Sequence, residues 1–155
     1  MPTVSLSCHV PAPAELVWKA VVSPIGFRFV SRGLVRWPVA QSRTRRWNQG
    51  ETVIGWMYLL GFLPLSRHSL TFERLDDSHH EFSTQEHGGP IRSWNHRITV
   101  TSIDTTTCRI DDRVTFDGGI LTPALWLLVK TFYLVRRPRW HSLATALTSG
   151  AVVVD

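Results

Sequence analysis

The sequence predicts one α+β domain. Its core is an antiparallel sheet of six to seven strands, with two short helices after the first strand and a long helix at the C-terminal end. Three observations carry this. Apolar residues recur with a period close to two from about residue 34 to 117. Turn-forming clusters divide that stretch at spacings that suit hairpins and are too short for crossover helices. Helical periodicity is confined to the segment after the first strand and to the end of the chain. The 155 residues hold no Pro/Gly/Ser-rich linker, so residues 1–149 are read as one domain followed by a 150–155 tail. A domain of this size hides roughly 70% of its unfolded surface, enough for an apolar core without a metal or disulfide staple.

In the first strand Val4, Leu6, Cys8 and Val10 face one way and Ser5, Ser7 and His9 the other. Pro11-Ala12-Pro13 breaks it. Ala14, Val17, Trp18, Val21 and Val22 then recur at helical spacing, with Glu15 and Lys19 outside. Ser23-Pro24 ends this helix and opens a second, which runs to Arg32 and is stopped by Gly33. The strand meander is punctuated at Asn48-Gln49-Gly50, Gly61 to Pro64, Asp76-Asp77-Ser78, Gly88-Gly89-Pro90 and Asp104 to Thr107. The final helix starts near Thr122, and Pro138 is expected to kink or interrupt it. In the tail, Ala151-Val152-Val153-Val154 is β-prone. A sheet edge, a neighbouring chain and a disordered end are all open to it.

The chain carries 17 basic and 12 acidic residues, and its only lysines are Lys19 and Lys130. Two arginine clusters stand out, Arg43 with Arg45 and Arg46, and Arg136 with Arg137 and Arg139. Neither comes with a helix-turn-helix, zinc-finger or RNP-type pattern, so no nucleic-acid partner is expected and a solvated basic surface is the plain reading. The apolar run Ala124 to Val135 contains Lys130 and falls well short of the ~20 residues of a membrane span, which makes it a core helix rather than an anchor. Cys8 and Cys108 have neither a zinc nor a redox spacing, and the N-terminus lacks a signal layout. The expected location is cytoplasmic, with free thiols.

Several stretches resemble a known superfamily. Ala12-Pro13-Ala14-Glu15-Leu16-Val17-Trp18 is similar to its opening helix and Tyr58-Leu59-Leu60-Gly61-Phe62-Leu63-Pro64-Leu65 to a strand-turn. Gly89-Pro90-Ile91-Arg92-Ser93-Trp94-Asn95-His96 is similar to a GP…W.H hairpin, and Asp112-Arg113-Val114-Thr115-Phe116 to a D.V.Y strand. Together they resemble one branch of the SRPBCC superfamily, which contains START domains, birch-pollen-allergen-type proteins and polyketide cyclases. The resemblance runs from Val4 to Leu147. It implies a helix-grip fold, in which a curved sheet wraps around the C-terminal helix, and a cavity between the sheet's concave face and that helix. It also implies a hydrophobic small-molecule ligand, with catalysis in a minority of members.

Strand parity locates the residues that would face such a cavity. Trp94, Ile98 and Val100 share a face, as do Ile110, Val114 and Phe116, and the same parity holds for Leu70, Phe72 and Phe82. Hairpin pairing sets His96 near Val114 and diagonal to Asp112, and brings Thr84 and Glu86 beside Trp94 and His96. A polar group of His68, Thr84, Glu86, His96 and Asp112 therefore sits on the apolar face, where each costs roughly 1–3 kcal/mol if unpartnered. They either orient the polar end of a ligand or satisfy one another, and for His68 and Glu86 a solvent-exposed rim is an equal reading. Leu125, Leu128, Val129 and Phe132 form a stripe on the last helix that would line the opposite wall. The histidines and carboxylates lie on four strands without a compact motif, so no metal or other cofactor is expected.

Three functions follow. The first is a carrier or sensor of a hydrophobic molecule. The second is a cyclase or dehydratase using His96 with Asp112 as acid and base. The third is an interaction module in which Trp126, Tyr133 and Trp140, with Arg136, Arg137 and Arg139, dock a membrane or a protein. The chain is expected as a monomer or homodimer.

Overall fold

The computed structural model describes residues 1–154. Strand β1 (Thr3–Val10) leads into helices α1 (Ala14–Val21) and α2 (Pro24–Ser31). Strand β2 (Val35–Arg36) and helix α3 (Pro38–Ser42) follow. Next come β3 (Thr52–Leu59), β4 (Leu63–Asp76), β5 (Glu81–Gly88), β6 (Ile91–Ser102) and β7 (Cys108–Asp117), and the chain closes with α4 (Thr122–Thr148). The strands form one antiparallel sheet in the order β1-β7-β6-β5-β4-β3-β2.

Alternation is strict at the β1–β7 edge. β1 buries Val4, Leu6, Cys8 and Val10, and β7 buries Cys108, Ile110, Asp112, Val114 and Phe116. The register slips between Met57 and Tyr58, between Phe72 and Arg74, and between Glu86 and Gly88. Such bulges add twist and bend a strand; the first two put an extra residue on β4 (Leu65 and Glu73) and the third puts one on β6, both strands that wrap the site. The result is a curled sheet gripping a long helix.

α4 packs along β1 and against α2. Its C-terminal half buries Trp140, Leu143, Ala144 and Leu147, whereas its first half buries only Val129 and Tyr133. Ala124 to Val135 is therefore a partly covered segment rather than a core helix, with Leu127 and Leu134 exposed. Residues 119–148 form the one helix, among the described residues, long and apolar enough by length and composition to cross a membrane, and 11% of its most apolar window is buried.

Three further expectations are corrected. Of the two outcomes expected at Pro138, a kink or an interruption, the interruption does not occur: the last helix runs through it. The carbonyl that Pro138 leaves without an amide partner belongs to Leu134, whose residue lies on the helix's exposed side. The stretch between β2 and β3 is not strand throughout: α3 occupies part of it, starting at Pro38 and burying Ala40. The tail packs rather than extending as a strand, since Val152 N–H donates to the Ala146 carbonyl at 3.0 Å and Val152 and Val154 rest on the core.

The arginine clusters are largely committed within the chain. Arg43 pairs with Glu51 and lies 4.5 Å over the Trp47 ring, and Arg46 reaches Asp77 at 2.9 Å. Arg139 donates to the carbonyls of Val30 at 3.0 Å and Arg32 at 2.6 Å, closing the C-terminal end of α2. Of the residues expected to form a docking surface on α4, Tyr133 and Trp140 are buried and the Arg136 side chain, 14% exposed, turns inward, while Trp126 is half-buried and Arg137 exposed.

Candidate functional site

A partly open cavity of about 180 Å³ lies between the inner face of β3–β6 and the first half of α4. Its lining includes Leu70, Phe72, Phe82, Trp94 and Ile98 from the sheet and Leu125, Leu128, Val129 and Phe132 from α4. His68, Thr84, Glu86 and His96 also line it. Asp112, Val114 and Phe116, expected on the wall, do not. They lie beneath it on β7, with Asp112 1% exposed and the other two fully buried.

The polar residues form one connected strip. Thr84 Oγ1 donates to Glu86 Oε1 at 2.5 Å, and His68 Nε2 meets Glu86 Oε2 at 2.8 Å. His68 is 3% exposed and Glu86 6%, so neither is a rim residue. Two glycines flank His68. Gly55 is its partner on β3, and a Cβ on Gly88 would sit 2.9 Å from His68 Cα and 3.1 Å from its Nδ1. His96 Nδ1 lies 4.0 Å from Glu86 Oε1, and its Nε2 is 2.7 Å from Asp112 Oδ1.

Asp112 is the hub of the second half. Tyr133 OH donates to its Oδ1 at 2.7 Å, and Arg136 Nη2 stands 3.3 Å from its Oδ2. Burial pushes the Asp112 pKa up, but the charges of Arg136 and His96 and the hydrogen bonds from His96 and Tyr133 together outweigh it and hold the carboxyl at about 2. Asp112 is thus ionised at neutral pH and only accepts hydrogen bonds. His96 must then carry a proton on Nε2, which leaves Nδ1, on the Glu86 side, to exchange protons or hydrogen bonds. Burial, then the Asp112 charge, raises the Tyr133 hydroxyl well above its ordinary value, so Tyr133 stays a neutral donor.

Arg136 Nε, Trp140 Nε1 and His68 Nδ1 belong to lining residues and are buried without a hydrogen-bond partner in the protein. Sequence reasoning assigned Tyr133, Arg136 and Trp140 to other faces, yet all three line the cavity. The signal was available. The stripe that includes Val129 and Phe132 continues at helical spacing to Tyr133, Arg136 and Trp140. Cys8 and Cys108 lie outside the lining as free buried thiols, and burial pushes both up to about 11. Among the described residues no three His, Cys, Asp or Glu side chains are grouped to hold a metal ion.

A family model described as a Domain of unknown function (DUF8410) matches residues 8–144. No curated protein matches the chain. Solved structures do. The Zhui aromatase/cyclase from Streptomyces sp. R1128 has a TM-score of 0.73 at 13% identity, over 99% of both chains. Norcoclaurine synthase from Thalictrum flavum, in complex with dopamine and hydroxybenzaldehyde, has a TM-score of 0.64 at 15% identity, over 97% of this chain and 86% of that one. Protein CV1439 from Chromobacterium violaceum has a TM-score of 0.69 at 11% identity, over 92% and 96%. At these identities the likeness is one of fold alone: a curved antiparallel sheet gripping a long C-terminal helix.

Proposed function

The chain belongs to the family DUF8410, and we propose that it binds a hydrophobic small molecule, as a carrier or sensor, in the cavity beneath α4. One observation carries this reading. The cavity is apolar on most of its wall and polar along a single strip, which is how a pocket orients one polar end of an otherwise apolar ligand. Thr84, Glu86 and His96 offer oxygens and a ring nitrogen on the sheet side, and Arg136 Nε and Trp140 Nε1 offer donors on the helix side. A buried donor left unpartnered costs roughly 1–3 kcal/mol, so a ligand oxygen that reached these donors would gain by it.

Size narrows the ligand class. An apolar cavity of about 150 Å³ takes up benzene. The volume here, about 180 Å³, suits one aromatic ring with a hydroxyl or carbonyl substituent. Titration of substituted phenols and benzaldehydes by thermal shift, with native mass spectrometry of the purified protein, tests the reading. A rise in melting temperature that disappears in Glu86→Ala and in His96→Ala supports it. No co-purified molecule and no stabilisation across phenols, fatty acids, sterols and quinones would overturn it. We further place the chain in the branch marked by the GP…W.H hairpin. In support, Gly89 takes a φ of +55°, and a Cβ there would meet Ser66 Cβ at 2.7 Å.

A second reading, proton-transfer catalysis of the cyclase or dehydratase kind, is favoured by the His96–Asp112 hydrogen bond. An ionised carboxylate behind the ring fixes its tautomer and stabilises the imidazolium formed when Nδ1 takes a proton. Here His96→Ala abolishes turnover of an enolisable substrate while leaving its affinity within a few-fold. Loss of affinity with no turnover in the wild type leaves the carrier reading.

A further inference from the structure

The geometry points to a second ligand site, specific for a phosphate group, in the hollow between α2, β2 and the turn that joins β3 to β4. This hollow, about 180 Å³ in volume, is lined by Arg28, Arg32 and Arg36 together with Gln41 and Gly61. It shares only Phe27, Val35 and Trp37 with the cavity described above, so the two spaces stand back to back.

The charge arrangement is what singles it out. No carboxylate lines the hollow, and among the described residues none of its three arginines forms an ion pair. Elsewhere Arg43, Arg46, Arg74 and Arg97 each lie against a carboxylate. Three arginines lining one concavity without a carboxylate raise its positive potential, which an entering anion would offset.

Two of the three are held in place. Arg28 Nη1 donates to the Gln41 carbonyl at 3.0 Å, and the Arg36 guanidinium stacks 4.6 Å over the Tyr58 ring. Each still has N–H groups to spare. The C-terminal end of α2 carries a partial negative charge that would oppose an anion, but Arg139 takes the carbonyls of Val30 and Arg32. At the rim Gly33 and Gly61 have positive φ, and a Cβ on either would meet nothing within 4 Å, so the approach is open. A phosphate monoester carries about −1.5 to −2 charge and three strong acceptor oxygens, which suits three forked donors better than a carboxylate does.

The test measures calorimetric binding of inorganic phosphate and phenyl phosphate at low salt. In parallel, the protein is sedimented with phosphatidylcholine vesicles with and without phosphatidic acid. The variants are R32E/R36E and, as a single charge-reversal control on the exposed face of α4, R137E. The expected result is saturable binding that weakens at least tenfold in R32E/R36E and less than twofold in R137E. Binding of the soluble phosphates alone identifies a soluble phosphoester, and binding only to vesicles that contain phosphatidic acid identifies a lipid headgroup. Absence of binding in both arms, unchanged binding by R32E/R36E, or an equal loss in R137E would overturn the assignment.

Discussion

His96 and Asp112 do not face each other across the sheet. The ladder pairs His96 with Val114 and Ile98 with Asp112, and the imidazole crosses the diagonal to set Nε2 2.7 Å from Asp112 Oδ1. The carboxylate therefore sits under the cavity wall, and any influence it has on a ligand passes through His96, Tyr133 or Arg136. A mutation at Asp112 reads out stability first and binding second.

The Asp112 carboxyl gives stability a definite pH dependence. Its folded pKa of about 2 lies below the ordinary 3.8, so its contribution is fully present above about pH 4 and is lost as pH falls through the folded value. A depression of this size corresponds to about 2 kcal/mol. Urea unfolding between pH 6 and pH 2 should show this loss in the wild type. Asp112→Asn should lack it and, by leaving Arg136 without its buried counter-charge, should cost about 3–5 kcal/mol at pH 6. Equal slopes in the two proteins would refute the assignment.

Gly88 should tolerate no side chain. A Cβ there would lie 2.6 Å from the Arg67 carbonyl oxygen and 2.9 Å from His68 Cα, both on β4 backbone that cannot swing away. Gly50→Ala, where a Cβ meets nothing within 4 Å, carries only the strain of its positive φ, about 1 kcal/mol. Gly88→Ala should therefore lower the melting temperature by clearly more than Gly50→Ala, and it should also displace His68 from Glu86. Melts of the two variants side by side decide this.

Short hairpins made the sheet half of the site legible. Once the Asp104 to Thr107 and Gly88 to Pro90 turns are set, register follows by counting, and it places His96 against Val114 and Thr84 beside His96. The helix half was obscured by chemistry. Arg136 reads as surface because a charged side chain in an apolar stripe has no visible partner until Asp112 is found beneath it. The five residues of α3 are too short to show a helical period, and the bulges near Met57 and Phe72 leave no mark in the sequence. Cavity volume depends on how far α4 stands from β3–β6, which no pattern records.

Pro138 offers a prediction opposite in sign to that of most substitutions. Proline in a helix interior costs about 3 kcal/mol relative to alanine, and both Pro138 and Leu134 lie on the exposed side of α4. Pro138→Ala should restore the amide donor to the Leu134 carbonyl without disturbing the buried Tyr133 or Trp140. A rise in melting temperature is expected. A fall would mean that the helix needs its proline to meet the sheet at the right angle.

Two enlargements, Val129→Phe and Val114→Phe, separate a cavity from a packed core. Val129 is buried and lines the cavity, so a larger ring there enters existing space. Val114, fully buried and outside the lining, offers no such room, and overpacking a filled site costs about 1–3 kcal/mol. In a domain of this size 1 kcal/mol moves the melting temperature by roughly 2–4 °C. Val114→Phe should lose several degrees. Val129→Phe should hold or gain stability, because added apolar contacts replace cavity surface, and it should abolish the stabilisation produced by phenols. If both variants melt early by the same amount, the space beneath α4 is too small to admit a ring, and the ligand-binding reading fails with it.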